Sequence, residues 1–249
     1  MTLFVEFKKN VPPPSDVALQ AIRTELTHER NTAKYIKQNF SELVEDLQIR
    51  AYRIYLKAEK GAGSRAIETA LSKRIALKPT VKSVIGEVGS MFFELDRFFL
   101  SLTQSRRQRA GSAFETILHV LFKKLGYPFS EQQMINGKAD FLMPHRAHYN
   151  NNPMDCIIFT CKRSLRERWR QIVTEGTRGL GFFLATIDKK VSAVALEEMK
   201  IHRIYLVVPH NTKLSIKSYA KAQNVITFEE FFKHFLDPAL KRWRSRKVI

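Results

Sequence analysis

Between residues 129 and 208 the chain alternates short apolar runs with stretches of helical spacing, and few folds accommodate that order. The apolar runs are 129–135, 138–143 (KADFLM), 154–162 (MDCIIFTCK), 182–187 (FFLATI) and 204–208 (IYLVV). Each is the length of a strand and too short for a buried helix. Helical spacing separates them over 165–178 and 193–201, while HRAHYNNNP, between the second and third runs, reads as a loop. Strand, strand, strand, helix, strand, helix, strand predicts an α/β fold with a mixed central sheet flanked by helices. A last amphipathic segment, 227–243, places Phe228, Phe231, Phe232 and Phe235 at helical spacing, as core or as a dimer seam.

Upstream the texture is helical. Pro12 to Pro14 end a short first segment, and Asp16 is placed to cap the next helix. Residues 16–58 read mainly as helix, with Val17, Leu19 and Ile22 recurring, then Leu43, Leu47, Tyr52, Tyr55 and Leu56. GAGS at 61–64 predicts a break, after which helical pattern resumes over 65–77 and 83–103, with Met91, Phe92, Phe93, Leu95, Phe98 and Phe99. A basic stretch, SRRQRAGS, fills 105–112. Ser112 and Glu115 have capping-box spacing, which predicts a helix start there. Phe114, Ile117, Leu118, Leu121, Phe122 and Leu125 would form its buried face, and Gly126 would end it. The expected organisation is a helical region, 1–104, packed on an α/β domain, 105–249.

Charge narrows the partner. Lys and Arg number 42 against 24 Asp and Glu, a formal excess of +18. So basic a chain points to a polyanion, because contact with phosphates releases condensed counterions. A ribosome-associated role or a merely basic surface is the plainer reading. The 44% hydrophobic content, with 18 phenylalanines, supplies a packed core. Cys156 and Cys161, five apart in one strand segment, point to opposite faces, so they read as buried free thiols in a reducing cytoplasm. Two cysteines are too few for a zinc finger or ribbon. MTLFVEFKKNVPPP lacks the apolar stretch of a signal peptide, and no run approaches ~18 apolar residues, so a cytoplasmic protein off the membrane is expected.

Three polar residues interrupt apolar pattern. Asp140 sits inside Ala139-Asp140-Phe141-Leu142, Lys162 ends CIIFTC, and Glu175 comes thirteen residues later on a predicted helix. Buried carboxylates and ammonium groups are costly without partners. Phosphodiester hydrolysis would explain them: carboxylates hold Mg²⁺ against the phosphate, and a cation orients water and offsets transition-state charge. The plain alternative is two strand-end residues and one solvated helix position. On the segment between, Trp169, Ile172 and Val173 form an apolar stripe, with Arg168, Gln171 and Glu175 beside it. Arg168 and Glu175 would lie ~10 Å apart along a helix.

This block resembles the EcoRII, PspGI and SsoII group of type II restriction endonucleases, within the PD-(D/E)XK nuclease superfamily. The group's pattern is an Asp, a distant Lys, twelve residues and a Glu, which Asp140, Lys162 and Glu175 match. Thr160 stands where the wider superfamily has an acid two residues before the Lys, a departure expected in this branch. The resemblance implies that Arg166, Glu167 and Arg168 read G·C pairs in the major groove, as Arg to guanine and Glu to cytosine allow. Ser164 and Glu167 also have capping-box spacing, and both readings can hold. It implies a supporting metal role for Glu115, against the cap reading, and DNA contacts for Gln104, Arg106, Arg107, Gln108 and Arg109, with phosphate clamping the safer reading. Group members can flip a central base pair, for which Tyr52 and Tyr55 are candidates, core packing being the alternative. The resemblance covers about 105–178 in its motifs; the first 100 residues share only helical, basic character.

Taken together, the resemblance implies Mg²⁺-dependent, sequence-specific hydrolysis of double-stranded DNA at a CC/GG near-palindrome (CCNGG or CCWGG), leaving 5′-phosphate and 3′-hydroxyl ends. It implies a C2 homodimer and a cognate DNA methyltransferase in the same system, without physical contact between the two. No second effector domain is evident, so a compact enzyme is expected. The rival readings are a structure-specific PD-(D/E)XK repair nuclease or junction resolvase, and a DNA-binding protein without catalysis. His145, His148, His202, His210 and His234 lack metal-ligand spacing, and KRWRSRK at 241–247 reads as a basic tail, solvated or touching the DNA backbone.

Overall fold

A computed structural model of the chain describes residues 2–75, 79–134, 138–165 and 181–249. Its first half is helical: α1 (Leu3–Asn10), α2 (Pro14–Glu25), α3 (Ala33–Gln38), α4 (Phe40–Ser72), α5 (Val81–Ser90) and α6 (Phe92–Lys124). Strands then enter: β1 (Ser130–Met134), β2 (Lys138–Met143), the short helix α7 (Arg146–Asn151), β3 (Ile157–Cys161) and β4 (Gly181–Ala185). The chain continues through α8 (Ala193–Ile201), β5 (Ile204–Val208), α9 (His210–Ser215), α10 (Lys217–Lys221) and β6 (Val225–Thr227). It ends with α11 (Phe228–Phe231), a π-helical turn at Phe232–Leu236, and α12 (Asp237–Ser245).

Among the described residues six strands lie in the order β1-β2-β3-β4-β5-β6. Pairing is antiparallel from β1 to β3 and parallel from β3 to β6, so the sheet is mixed as the sequence predicts. Strand alternation divides the apolar side chains between two cores. Phe141, Phe159, Phe183 and Val207 meet Phe122, Phe231 and Trp243 on one face. Leu142, Ile158, Leu184 and Leu206 meet Leu196, Met199 and Tyr219 on the other. Covering both faces is what makes IYLVV continuously apolar, and IIFTC apolar but for Thr160, rather than alternating with polar residues. The strand β6 was not predicted: three residues, VIT, are too few to display a period.

Several helix limits depart from the sequence reading. GAGS does not break α4, which runs through it with Ala62 and Ala66 buried. A Cβ on Gly63 would lie 4.0 Å from Phe98 Cζ, so α4 is packed closely against α6 at that point. That packing outweighs a helical penalty of ~1 kcal/mol per glycine. Nor does a helix start at Ser112: α6 passes through SRRQRAGS unbroken, and the Ser112 carbonyl accepts a bond from Thr116 Oγ1 (2.9 Å). The boundary expected between 104 and 105 falls inside α6, and one hydrophobic cluster holds residues from both sides of it. Asp16 lies in the first turn of α2 instead of capping it, because the helix already begins at Pro14. HRAHYNNNP is not wholly loop: α7 forms there, with His145 Nδ1 accepting from the His148 amide (3.2 Å). Gly126 ends α6 as predicted, at φ +71, with Tyr127 N donating to Phe122 O and Gly126 N to Lys123 O. The expected helix over 165–178 lies outside the described residues, except for Leu165.

The basic tail is not loose. Asp155, 6% exposed, takes bonds from Arg242 Nε (2.6 Å) and His148 Nε2 (3.0 Å), while its carbonyl accepts from Trp243 Nε1 (2.9 Å). These bonds lock α12 against the segment that leads into β3. Burial alone would raise the Asp155 carboxyl, but the hydrogen bonds from Arg242 and His148 outweigh it and hold the group below its ordinary 3.8. A depressed carboxyl adds stability above its unfolded value and loses it as pH falls through the folded one. Asp155→Asn should therefore flatten the loss of stability below pH 3.8, read from urea midpoints across pH. Identical acid limbs in the two proteins would contradict this role.

Candidate active site

The site begins with strand register. Phe141 pairs with Phe159 across the antiparallel β2–β3 ladder, which sets Asp140 beside Thr160. Asp140 is 6% exposed, and its Oδ2 accepts three donors: Thr160 Oγ1 at 2.7 Å, the Cys161 amide at 2.8 Å and Lys162 Nζ at 3.4 Å. Lys162 comes directly after the last residue of β3, and its amide still donates to Ala185 O (2.9 Å). Its stem is thereby fixed while its head reaches Asp140, with the side chain 35% exposed. All three bonds fall on one carboxylate oxygen. A buried acid and an amine at the mouth of the sheet thus satisfy each other.

Asp140 also lines a cleft of about 290 Å³ with Ser112, Glu115, Thr116, His119 and Glu131. The helix α6 brings Glu115, Thr116 and His119 to one side, since residues four apart share a helix face. His119 Nε2 lies 2.6 Å from Glu131 Oε1 on β1. Neither residue was singled out from sequence; the available signal was that His119 lies one turn after Glu115. Cys161 is buried behind the carboxylates, and burial, then the charges of Asp140 and Glu115, push its thiol well above the ordinary value despite Lys162. Burial and the Asp155 charge push Cys156 up to about 12. Both cysteines are free and buried, as predicted.

Among the described residues no group of three or more His, Cys, Asp or Glu side chains is placed to hold a metal ion. Asp140 and Glu115 are nonetheless two hard oxygen donors on one cleft. That donor set suits Mg²⁺, which takes one or two carboxylates and completes its shell with water and phosphate. Glu175 lies outside the described residues, as do Arg166, Glu167 and Arg168.

The remaining expected positions run back along α6. Gln104 is exposed. Arg106 Nε bonds both Glu59 oxygens, at 3.0 and 2.9 Å, and Tyr55 Oη donates to the same carboxylate (2.5 Å). Burial works against the charged Glu59, yet these donors hold its carboxyl below the ordinary value. The Arg109 guanidinium lies 5.0 Å from the Tyr55 ring centroid and donates to the Pro12 carbonyl. Arg109 and Arg106 stand about 9 and 14 Å before Glu115 along the helix axis. Of the two tyrosines, Tyr55 is buried at 6% exposure, whereas Tyr52 is 48% exposed. Both line a small pocket of about 30 Å³ with Gln48, Arg106, Arg109 and Arg163.

Comparison with known proteins bears on this arrangement. Residues 70–232 match the family described as EcoRII C terminal. The chain is 24% identical over 237 residues to the type II restriction enzyme SsoII of Shigella sonnei, covering 89% of this chain and 76% of that one. It is 32% identical over 127 residues to the type II restriction enzyme EcoRII of Escherichia coli, covering 47% of this chain and 31% of the other. A solved structure of metal-depleted Ecl18kI in complex with uncleaved, modified DNA superposes with a TM-score of 0.82 at 25% identity, over 98% of this chain and 83% of that chain.

The Thr160 bond carries its own test. Thr160→Val keeps the strand shape but removes a donor from a buried carboxylate, which costs ~1–3 kcal/mol. Urea melts should register that loss for Thr160→Val and near-neutrality for Thr160→Ser. Equal stability of the valine and threonine forms would mean the bond does not hold Asp140.

Proposed function

The chain belongs to the EcoRII C-terminal family of type II restriction endonucleases, and on that premise we propose that it cuts both strands of double-stranded DNA at a near-palindrome of the CCNGG or CCWGG kind. The observation that carries the proposal is the pairing of Lys162 with Asp140 at 3.4 Å, on a cleft shared with Glu115. The excess of +18 suits a DNA ligand, and a relative of the same fold is bound to DNA. No helix among the described residues is long and apolar enough to cross a membrane.

Asp140, Glu115 and Glu175 would hold Mg²⁺, which when bound supplies Lewis-acid polarisation of the phosphate and hydroxide near neutral pH. Three hydrogen bonds on Oδ2 would hold the Asp140 carboxylate in place for that role. Lys162 Nζ orients the attacking water and offsets charge growing on the phosphate oxygens. A bond forms from the water oxygen to phosphorus as the bond to the 3′ oxygen breaks, leaving 5′-phosphate and 3′-hydroxyl ends. Arg166, Glu167 and Arg168 read the G·C pairs. Gln104, Arg106 and Arg109 approach the backbone phosphates from α6, Arg106 already oriented by Glu59. Two copies related by a two-fold axis would address the two strands. A cognate methyltransferase would protect the host's own sites.

Cleavage and binding can be tested separately. Plasmid DNA with Mg²⁺ should give discrete fragments, and run-off sequencing should return one repeated cut position; a smear, or cuts only at branched DNA, would favour a structure-specific nuclease. Lys162→Ala should slow cleavage at least ~100-fold while gel-shift affinity is retained, and undiminished cutting would remove Lys162 from the mechanism. Arg168→Ala should cost ~1–3 kcal/mol of binding and relax selectivity at one base pair.

A further inference from the structure

Three residues, Arg163 to Leu165, separate Lys162 from the triplet Arg166-Glu167-Arg168. The chain is tied down along this short stretch, each time to the turn that leaves β4. The Lys162 amide donates to Ala185 O (2.9 Å). Thr186 Oγ1 donates to Arg163 O (3.3 Å), and the Leu165 amide donates to Asp188 Oδ2 (2.9 Å). The Leu165 side chain is fully buried, in the core that also holds Ile158 and Leu184.

The turn is itself well anchored. Thr186, 0% exposed, donates its amide to Val207 O on β5 (2.9 Å), and its hydroxyl accepts from the Asp188 amide (3.0 Å). Tyr219 Oη, on α10, donates to Asp188 O (2.7 Å) and accepts from the Val191 amide (3.1 Å). Asp188 Oδ1 accepts from the Lys190 amide (2.9 Å). Its carboxylate is therefore a bridge: one oxygen shapes the turn and the other holds the chain coming from β3. Hydrogen bonds to an ionised acceptor are roughly twice as strong as neutral ones. Asp188 is not among the residues that line the cleft with Asp140 and Glu115, so its carboxylate serves the backbone instead of the chemistry.

Chain continuity turns this bridge into a constraint on the triplet. Consecutive Cα atoms are ~3.8 Å apart, so with Leu165 fixed, Arg166 starts within that radius and Arg168 within ~11 Å. An arginine that meets guanine O6 and N7 with two donors tolerates little displacement of its backbone. We propose that Asp188 is the positioning residue of the base-reading triplet. It sets where Arg166, Glu167 and Arg168 begin relative to Lys162, and so which base pairs are tested while a phosphate lies in the cleft. The assignment rests on the reading of those three residues as contacts to G·C pairs.

The test compares gel-shift Kd values, without Mg²⁺, for two duplexes. One carries the site returned by run-off sequencing, and the other has a single G·C pair of that site changed. Asp188→Ala should lower the selectivity ratio at least ~10-fold by weakening the matched duplex, with affinity for the altered duplex and the circular-dichroism melt unchanged. A side chain that only supports the fold would weaken both duplexes alike, so an equal loss, or none, overturns the assignment. Asp188→Asn decides the matter should the alanine variant misfold. An amide accepts at one end only and breaks the bridge whichever way it turns, so a ratio unmoved in that variant also overturns the assignment. Arg166→Ala and Arg168→Ala separate it from the reading beneath it. Where these lower the ratio and the Asp188 variants do not, positioning falls and base reading stands. Where neither arginine variant lowers it, or the digest returns no discrete site, base reading fails and positioning falls with it.

Discussion

The arrangement of the site depends on one carboxylate with three donors. Asp140 sits in the ladder of β2, where an unpartnered charge would cost several kcal/mol. Its Oδ2 is met by a hydroxyl, a backbone amide and an ammonium from three successive residues, Thr160, Cys161 and Lys162. Those residues reach it only because β2 and β3 are antiparallel in the observed register. A slip of one residue would turn Thr160 to the opposite face and bury the acid unsatisfied. Strand pairing, core packing and chemistry are thus tied to one register.

Much of this was legible in the chain itself, because a strand buried on both faces writes its apolar run into the sequence. Asp140 and Lys162 were conspicuous as polar residues where core was expected. What escaped was contact between residues far apart in sequence. Thr160 could be read as a departure from an acid, but not as the donor to Asp140. His119 and Glu131 meet at 2.6 Å only through the docking of α6 on β1. Arg106 and Arg109 look like members of a free basic run, yet Glu59 and Tyr55 on α4 hold them. Local signals also failed where tertiary packing overrode them. GAGS suggests a break and Ser112 a helix start, and both lie inside helices 33 residues long. Short elements such as α7 and β6 are below the length at which periodicity can be seen.

The pairing of α4 with α6 has a further meaning for a chain this basic. Acids are scarce, and two on the helices orient arginines: Glu59 holds Arg106, and Glu25 holds both Arg30 and Arg50, each at 2.5 Å. Such partners fix a guanidinium's plane without removing it from the surface, since Arg106 remains 43% exposed. A polyanion would then meet cations whose rotamer entropy has already been lost in folding.

The unbroken course of α6 makes a mechanical connection. Its 33 residues form a rod about 50 Å long, with the exposed Phe92, Phe93 and Phe99 near one end and Glu115 in the cleft toward the other. Between them the helix is continuous. Phe99 and Glu115 are thereby held about 24 Å apart along one axis, so a single element sets the distance between an outer surface and the wall of the cleft.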